Sequence, residues 1–238
     1  MNKRTVIIFI LLILLCGCAK KTSSGGCDLF EDCTDIVETS GTDFKSRHEE
    51  LNGLANKSGK VHRSIVIPDD HPFVQVEAEE VLEKIKNKET FYVYVGDEAC
   101  PWCRSNIEMA IKVAKDAGID RIYYIEIWDD EGNEILRDQY KLEDGKIVKT
   151  MEGTDTYKEF LKYWESFLED YTLKDDDGNE IEVGEKRIYA PNYFYIENGE
   201  LERFTDGSSE LQEGSRDELT EEILKDQEML FRSLFGAK

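Results

Sequence analysis

Two cysteines stand two residues apart in Glu98-Ala99-Cys100-Pro101-Trp102-Cys103-Arg104, between a strand-like and a helix-like stretch, and that placement limits the folds open to the chain. Upstream, Phe91-Tyr92-Val93-Tyr94-Val95 is aromatic and β-branched and predicts a buried strand. Downstream, Ile107, Ala110, Ile111, Ala114 and Ala117 recur at the spacing of one helical face, and Gly118 supplies a stop. The order strand, short loop, CxxC, helix puts Cys100 where the unpaired amides and dipole of a helix start favour a thiolate. Cys103, one turn on, shares that side of the helix, so Cys100 is expected to attack a disulfide and Cys103 to resolve the mixed disulfide that results. Pro101 suits a first helical turn, where its missing N–H costs nothing and its fixed φ pre-sets the turn. Trp102 between the thiols is expected to be a partly exposed contact surface.

Two other readings of a CxxC are open. Paired thiolates bind zinc, but zinc needs two further ligands, and His48, His62 and His71 lie upstream with no ligand spacing among them. A structural disulfide is the other, although a short loop at a helix terminus suits a labile bond better. No metal and no cofactor is expected. Asp175-Asp176-Asp177-Gly178-Asn179-Glu180 invites a calcium reading, but Leu173 stands where an acidic first ligand is needed, and a turn between strands is the expectation.

Taken from its start, the chain opens with positive charge at Met1 to Arg4 and an apolar run from Val6 to Leu15, of signal-peptide length rather than membrane-spanning length. The run ends Leu15-Cys16-Gly17-Cys18, which resembles the bacterial lipobox, so residues 1–17 read as a lipoprotein signal peptide and Cys18 as the lipidated residue. Secretion with a free N-terminus and an uncleaved anchor are the competing readings. Residues 18–60 are rich in Ser, Thr, Gly, Lys and acids and read as a flexible tether; within it Cys27 and Cys33 are candidates for a small structural disulfide in an exported protein, or for a second redox couple.

Residues 61–238 then read as one α/β domain. Ile65-Val66-Ile67 predicts a short strand, and Val74, Ala78, Val81, Leu82 and Ile85 predict a helix, which leads into the Phe91–Val95 strand. Ile122 to Ile127 predicts a further parallel strand. From about residue 128 to 187 the pattern predicts an added segment: a hairpin turning at Asp144-Gly145, and a helix carrying Tyr157, Phe160, Leu161, Trp164, Leu168 and Tyr171 on one face. That helix either caps a substrate groove or extends the core. The last part predicts a strand after Pro191, a turn at Asn198-Gly199, a strand around Leu201 to Phe204, and a closing helix.

VYVGDEACPWCR followed by an amphipathic helix resembles the active-site segment of the thioredoxin superfamily, and Ala190-Pro191-Asn192-Tyr193-Phe194-Tyr195-Ile196-Glu197-Asn198-Gly199-Glu200 is similar to that family's segment of a cis-proline opening a strand and hairpin. The resemblance implies a thioredoxin-like fold, a central mixed sheet flanked by helices with the 128–187 segment inserted. It implies that Pro191 lies beside the CxxC and that Ala190 offers its backbone to a substrate chain. The implied function is a membrane-tethered, extracytoplasmic thiol-disulfide oxidoreductase acting on exported proteins and served by a redox partner protein. The chain also resembles accessory proteins of bacteriocin export, and a peptide-binding role is the alternative. Where many thioredoxins carry a buried acid in the strand before the motif, this chain has Tyr94; Asp97 and Glu98 are nearer the thiols and are expected to be exposed. With 52 acidic and 30 basic residues and a net charge of −22, the chain repels nucleic acid and anionic headgroups, so membrane attachment is expected through the N-terminal lipid alone.

Overall fold

The computed structural model describes residues 43–128 and 136–236. The signal-peptide and lipidation readings at residues 1–17 and Cys18, and the Cys27/Cys33 pair, lie outside the described residues. In chain order the elements are α1 (Phe44–Glu50), β1 (Phe73–Gln75), α2 (Ala78–Lys86), β2 (Phe91–Gly96), α3 (Pro101–Asp116), β3 (Ile122–Glu126), β4 (Gln139–Glu143), β5 (Lys146–Met151), α4 (Asp155–Trp164), β6 (Glu169–Lys174), β7 (Glu180–Arg187), β8 (Asn192–Glu197), β9 (Glu200–Thr205) and α5 (Glu221–Phe235). Five strands form one mixed sheet in the order β1-β3-β2-β8-β9, with β1, β3 and β2 parallel, β8 antiparallel to β2, and β9 antiparallel to β8. The α/β class with a mixed sheet flanked by helices is thus observed. Among the described residues no helix is long and apolar enough to cross a membrane.

Strand alternation decides what each face of the sheet buries. Tyr94 and Tyr193 are register partners on β2 and β8, and Tyr94 and Tyr124 on β2 and β3. Their rings stack across the three strands, with centroids 4.5 Å and 5.2 Å apart. This tyrosine row faces α5, where Phe231 meets Tyr193 edge-on, and α1, where Phe44 meets Tyr124 edge-on and stacks on Phe73. α3 packs against α5 and shares that side. The alternate residues point the other way. Phe194 stacks on Trp164 of α4 at 4.3 Å, and Tyr123 lies under Lys84 of α2.

Gly96 serves the tyrosine row directly. A Cβ at Gly96 would lie 2.1 Å from the hydroxyl oxygen of Tyr94, so the Tyr94 ring folds back over the next pleat only because position 96 has no side chain.

Four expectations are corrected. The tether reading ran to residue 60, but Asp43 caps α1 through the amide of Ser46, and Phe44 and Leu51 are buried, so the folded part begins no later than residue 43. A helix of about two turns carries too few apolar residues to register as periodic, which is why it read as tether. Ile65-Val66-Ile67 shows the alternating burial of a strand, with Val66 74% exposed between two buried isoleucines, yet it joins no sheet. Its amides are taken instead by side chains, Ile65 by Asn52, Val66 by Glu108 and Ile67 by Glu49. The first strand is Phe73–Gln75, and Val74, placed by its spacing on the following helix, belongs to it. The helix predicted through Tyr171 stops at Trp164, and Tyr171 turns inward from β6.

Residues 136–187 form two separate hairpins, β4–β5 and β6–β7, around α4. The Asp144-Gly145 turn is as predicted, and Asp175-Asp176-Asp177-Gly178 is a turn between β6 and β7 in which the Asp175 carboxylate accepts from the amides of Asp177 and Asn179. Of the two roles open to α4, the core role is the observed one: Tyr157, Phe160 and Trp164 are buried on the sheet face opposite α3. The hairpins instead brace the chain entering β8. Arg137 donates to the carbonyl of Ile188 at 3.2 Å, and Arg187, lying over Tyr171, donates to the carbonyl of Asp138 at 2.9 Å.

Candidate active site

Cys100 is the N-cap of α3, and Pro101 takes the first helical position, as the missing N–H of proline favours. The amide of Cys103 donates to the Cys100 sulfur at 3.3 Å, so Cys103 is presented one turn on and on the same side. The peptide bond between Ala190 and Pro191 is cis. The Cys100 thiol donates to the Ala190 carbonyl at 3.4 Å. The structure therefore brings together Cys100, Cys103, Ala190 and Pro191 from segments ninety residues apart in the chain. Trp102 is partly buried, in keeping with a contact role, whereas both sulfur-bearing residues are only 1% exposed.

Beneath the motif is a polar cluster that the sequence did not suggest. Asp97 and Glu98, expected to be exposed, are buried at 6% and 8% exposure. The reason is local. Asp97 turns back to accept from the amides of Ala99 and Cys100 at 2.7 and 2.8 Å, which shapes the loop entering α3. Glu98 meets a cation from another element: Arg47 of α1 lies 2.9 Å from Glu98 and 2.6 Å from Glu126 of β3. Three carboxylates thus converge, with ligand atoms within 4.8 Å of one another, and a guanidinium already supplies their countercharge.

The electrostatics follow from burial and from this pairing. Burial and the Glu98 charge push Asp97 up to about 7, against the two amides that favour its ionised form. Burial and a hydrogen bond with Glu98 push Glu126 up to about 10. Glu98 is burdened by burial too, yet the Glu126 hydrogen bond and the Arg47 charge hold it below its ordinary value. His48, fully buried, donates from Nδ1 to the carbonyl of Phe44, and burial pushes it down to about 4, so it is neutral. Burial, then the hydrogen bond and charge of Cys103 and the charge of Asp97, push the Cys100 thiol up. Tyr94, in the position noted for a buried acid, faces Cys103, and burial with that neighbour pushes its phenol well above the ordinary range.

Arg104, the residue after the motif, anchors the site. Its guanidinium is buried and reaches four acceptors: the carbonyls of Arg63, His48 and Glu98, and the Asn52 side chain. It thereby ties α1, the 52–63 loop and the loop before Cys100 to the start of α3. An arginine directly after a CxxC at a helix start was the available signal, since its first-turn position points back toward the preceding loop.

Chemically, the arrangement offers a dithiol at a helix terminus, a carbonyl on the Cys100 sulfur and a proton-holding acid group beside it. Among the described residues, no cluster of metal-ligating side chains includes the two thiols. No protein-family model matches the sequence, and no curated protein matches it either.

Proposed function

We propose that the chain is a thioredoxin-like, lipid-anchored extracytoplasmic protein whose Cys100/Cys103 pair exchanges thiols and disulfides with exported proteins. The observation that carries this reading is the placement of the Cys100 thiol, at the start of α3, against the carbonyl of Ala190 just before the cis-proline. Cys100 is the attacking group, because it caps the helix and lies against the segment where a substrate backbone would pair. Cys103 resolves, being one turn on with its amide at the Cys100 sulfur. A substrate disulfide must displace the Cys100–Ala190 contact, since both thiols are buried in the resting state. The anchor reading rests on the lipobox-like Leu15-Cys16-Gly17-Cys18 and predicts a mature chain that begins with diacylated Cys18.

The test is turnover of a disulfide-bonded protein by the native chain and by Cys100→Ser and Cys103→Ser. Native turnover with none in Cys100→Ser supports the reading, and full turnover by Cys100→Ser excludes it.

The burial of both thiols favours one second reading, an accessory protein that holds exported peptides in the same groove and uses the acidic surface to attract cationic ones. Salt-sensitive peptide binding by the Cys100→Ser, Cys103→Ser double variant would favour it.

A further inference from the structure

A helix-terminal thiol ordinarily ionises with ease, and a CxxC pair becomes oxidising to the extent that its reduced form is stabilised as thiolate. The groups around Cys100 work against that stabilisation. The Cys103 amide, at 3.3 Å, favours the anion. Against it, the sulfur lies on the Ala190 carbonyl at 3.4 Å, a contact that only a protonated thiol satisfies. The buried Asp97 side chain is seated on the amide of Cys100 itself, at 2.8 Å, which places its charge, once it ionises, next to the sulfur.

Among the described residues, the arginines beside the thiols are Arg47 and Arg104. β2 and β8 present the phenols of Tyr94 and Tyr193, and β3 presents Tyr124 and Glu126. From the loop comes Glu98, and α3 adds Cys103 and Arg104. α1 adds Arg47 and His48. Arg47 is paired with Glu98 and Glu126, and Arg104, whose acceptors are all neutral, keeps its charge but turns it on Asp97 and Cys103. His48 is neutral. A low-dielectric site lined by carboxylates, phenols and a carbonyl stabilises S–H over S⁻.

We propose that the pair is poised as a reductant, with Asp97 the positioning residue that keeps Cys100 a thiol through its seat on the Cys100 amide. This rests on the redox reading of Cys100 and Cys103. Cys100 loses its proton as it attacks a protein disulfide; the new bond joins Cys100 to one substrate sulfur, and the other leaves as a thiolate that takes up a proton. Cys103, deprotonated in turn, attacks the Cys100 sulfur and expels the second substrate sulfur, which is protonated likewise. The substrate gains two electrons and two protons, the pair becomes a disulfide, and a dithiol protein of the exported compartment must reduce it again.

The test uses the full chain. Alkylation of Cys100 in the reduced native protein is followed against pH by mass spectrometry of the Cys100 peptide, and the pair is equilibrated with reduced and oxidised glutathione. The proposal expects an alkylation midpoint above the free-thiol value of about 8.5 and a pair that converts to disulfide at equal millimolar glutathione forms. A midpoint near neutrality or below, or a pair that stays reduced in that buffer, overturns it. In Asp97→Asn the side-chain oxygen still accepts from both amides but the charge is gone. Its midpoint is expected to fall, and each unit of fall raises the thiolate fraction at neutral pH about tenfold and the alkylation rate about three- to fourfold, since a less basic thiolate is a weaker nucleophile. An unmoved midpoint in a variant of native melting temperature overturns the role of Asp97. Should Asp97→Asn fail to fold, Asp97→Ser, which also offers an oxygen to the amides, reads the same midpoint. A pair that never forms a disulfide at any glutathione ratio instead refutes the redox reading itself.

Discussion

Replacing Arg104 with methionine removes the anchor of the site while keeping most of the side-chain stem. The arginine is 1% exposed and donates five hydrogen bonds: Nε and Nη2 to the Arg63 carbonyl at 2.8 and 2.6 Å, Nη1 to the carbonyls of His48 and Glu98 at 2.8 and 2.9 Å, and Nη2 to Asn52 Oδ1 at 2.6 Å. Asn52 Oδ1 keeps the amide of Ile65 as a donor, so the loss falls on three carbonyls. Each buried acceptor deprived of its donor costs about 1–3 kcal/mol, or roughly 6 kcal/mol for three. Burial of the charge offsets part of that, because it pushes the guanidinium down to about 10. A fall of that size from the usual arginine range represents about 3 kcal/mol of desolvation that methionine does not incur. The net expectation is a loss of about 3 kcal/mol. With a urea m-value of about 2–3 kcal/mol/M for a domain of this size, the unfolding midpoint falls by about 1 M at unchanged m. Arg104→Lys keeps the charge but loses the planar fork, and its midpoint should lie between the two. A midpoint for Arg104→Met within about 0.2 M of native would refute the claim that this side chain holds α1 and the two loops to α3.

Three further outcomes follow from the same packing. Gly96→Ala places a methyl 2.1 Å from the Tyr94 hydroxyl, so the ring must leave the stacked row; a destabilisation of about 1–3 kcal/mol is expected in urea unfolding, with a changed near-ultraviolet tyrosine signal. Phe44→Ala removes the buried ring that α1 lays on Phe73 and Tyr124 and should cost about 3–5 kcal/mol, and proteolysis should then begin in the α1 segment. Asp97 is pushed up to about 7 in the folded chain, so the native state holds its proton more tightly than the unfolded state and the stabilisation is full at low pH. Relative to Asp97→Asn, the native protein should therefore lose stability, on the order of a few kcal/mol, as pH rises from about 4 to about 7. Denaturant unfolding of both proteins across that range measures it, and parallel pH profiles would contradict it.

The elements with sustained period were legible in the sequence. β2, α3, the β4–β5 and β8–β9 hairpins and α5 follow from apolar runs, helical stripes and turn residues, signals that are local in the chain. What escaped depends on partners distant in the chain. Ile65 to Ile67 alternates like a strand, but side chains of Asn52, Glu108 and Glu49 satisfy its amides where a neighbouring strand would. Tyr171 continues the stripe of α4 by spacing, yet it packs inward from a strand. At the site, the CxxC and the Ala190-Pro191 segment were both readable, and the structure brings them into contact. The burial of Asp97 and Glu98 was not. Charged residues in a loop read as solvated unless a counterion is known, and theirs is Arg47, fifty residues earlier on a helix too short to be recognised.

In the proposed function Cys100 is the attacking thiol and Cys103 the resolving one. The most direct measurement is to incubate Cys103→Ser with a disulfide-bonded protein and map the product by non-reducing mass spectrometry. The predicted result is a stable mixed disulfide through Cys100 that reductant releases, with no such adduct in Cys100→Ser. An adduct through another cysteine, or none at all under conditions in which the native chain turns the substrate over, would contradict the account.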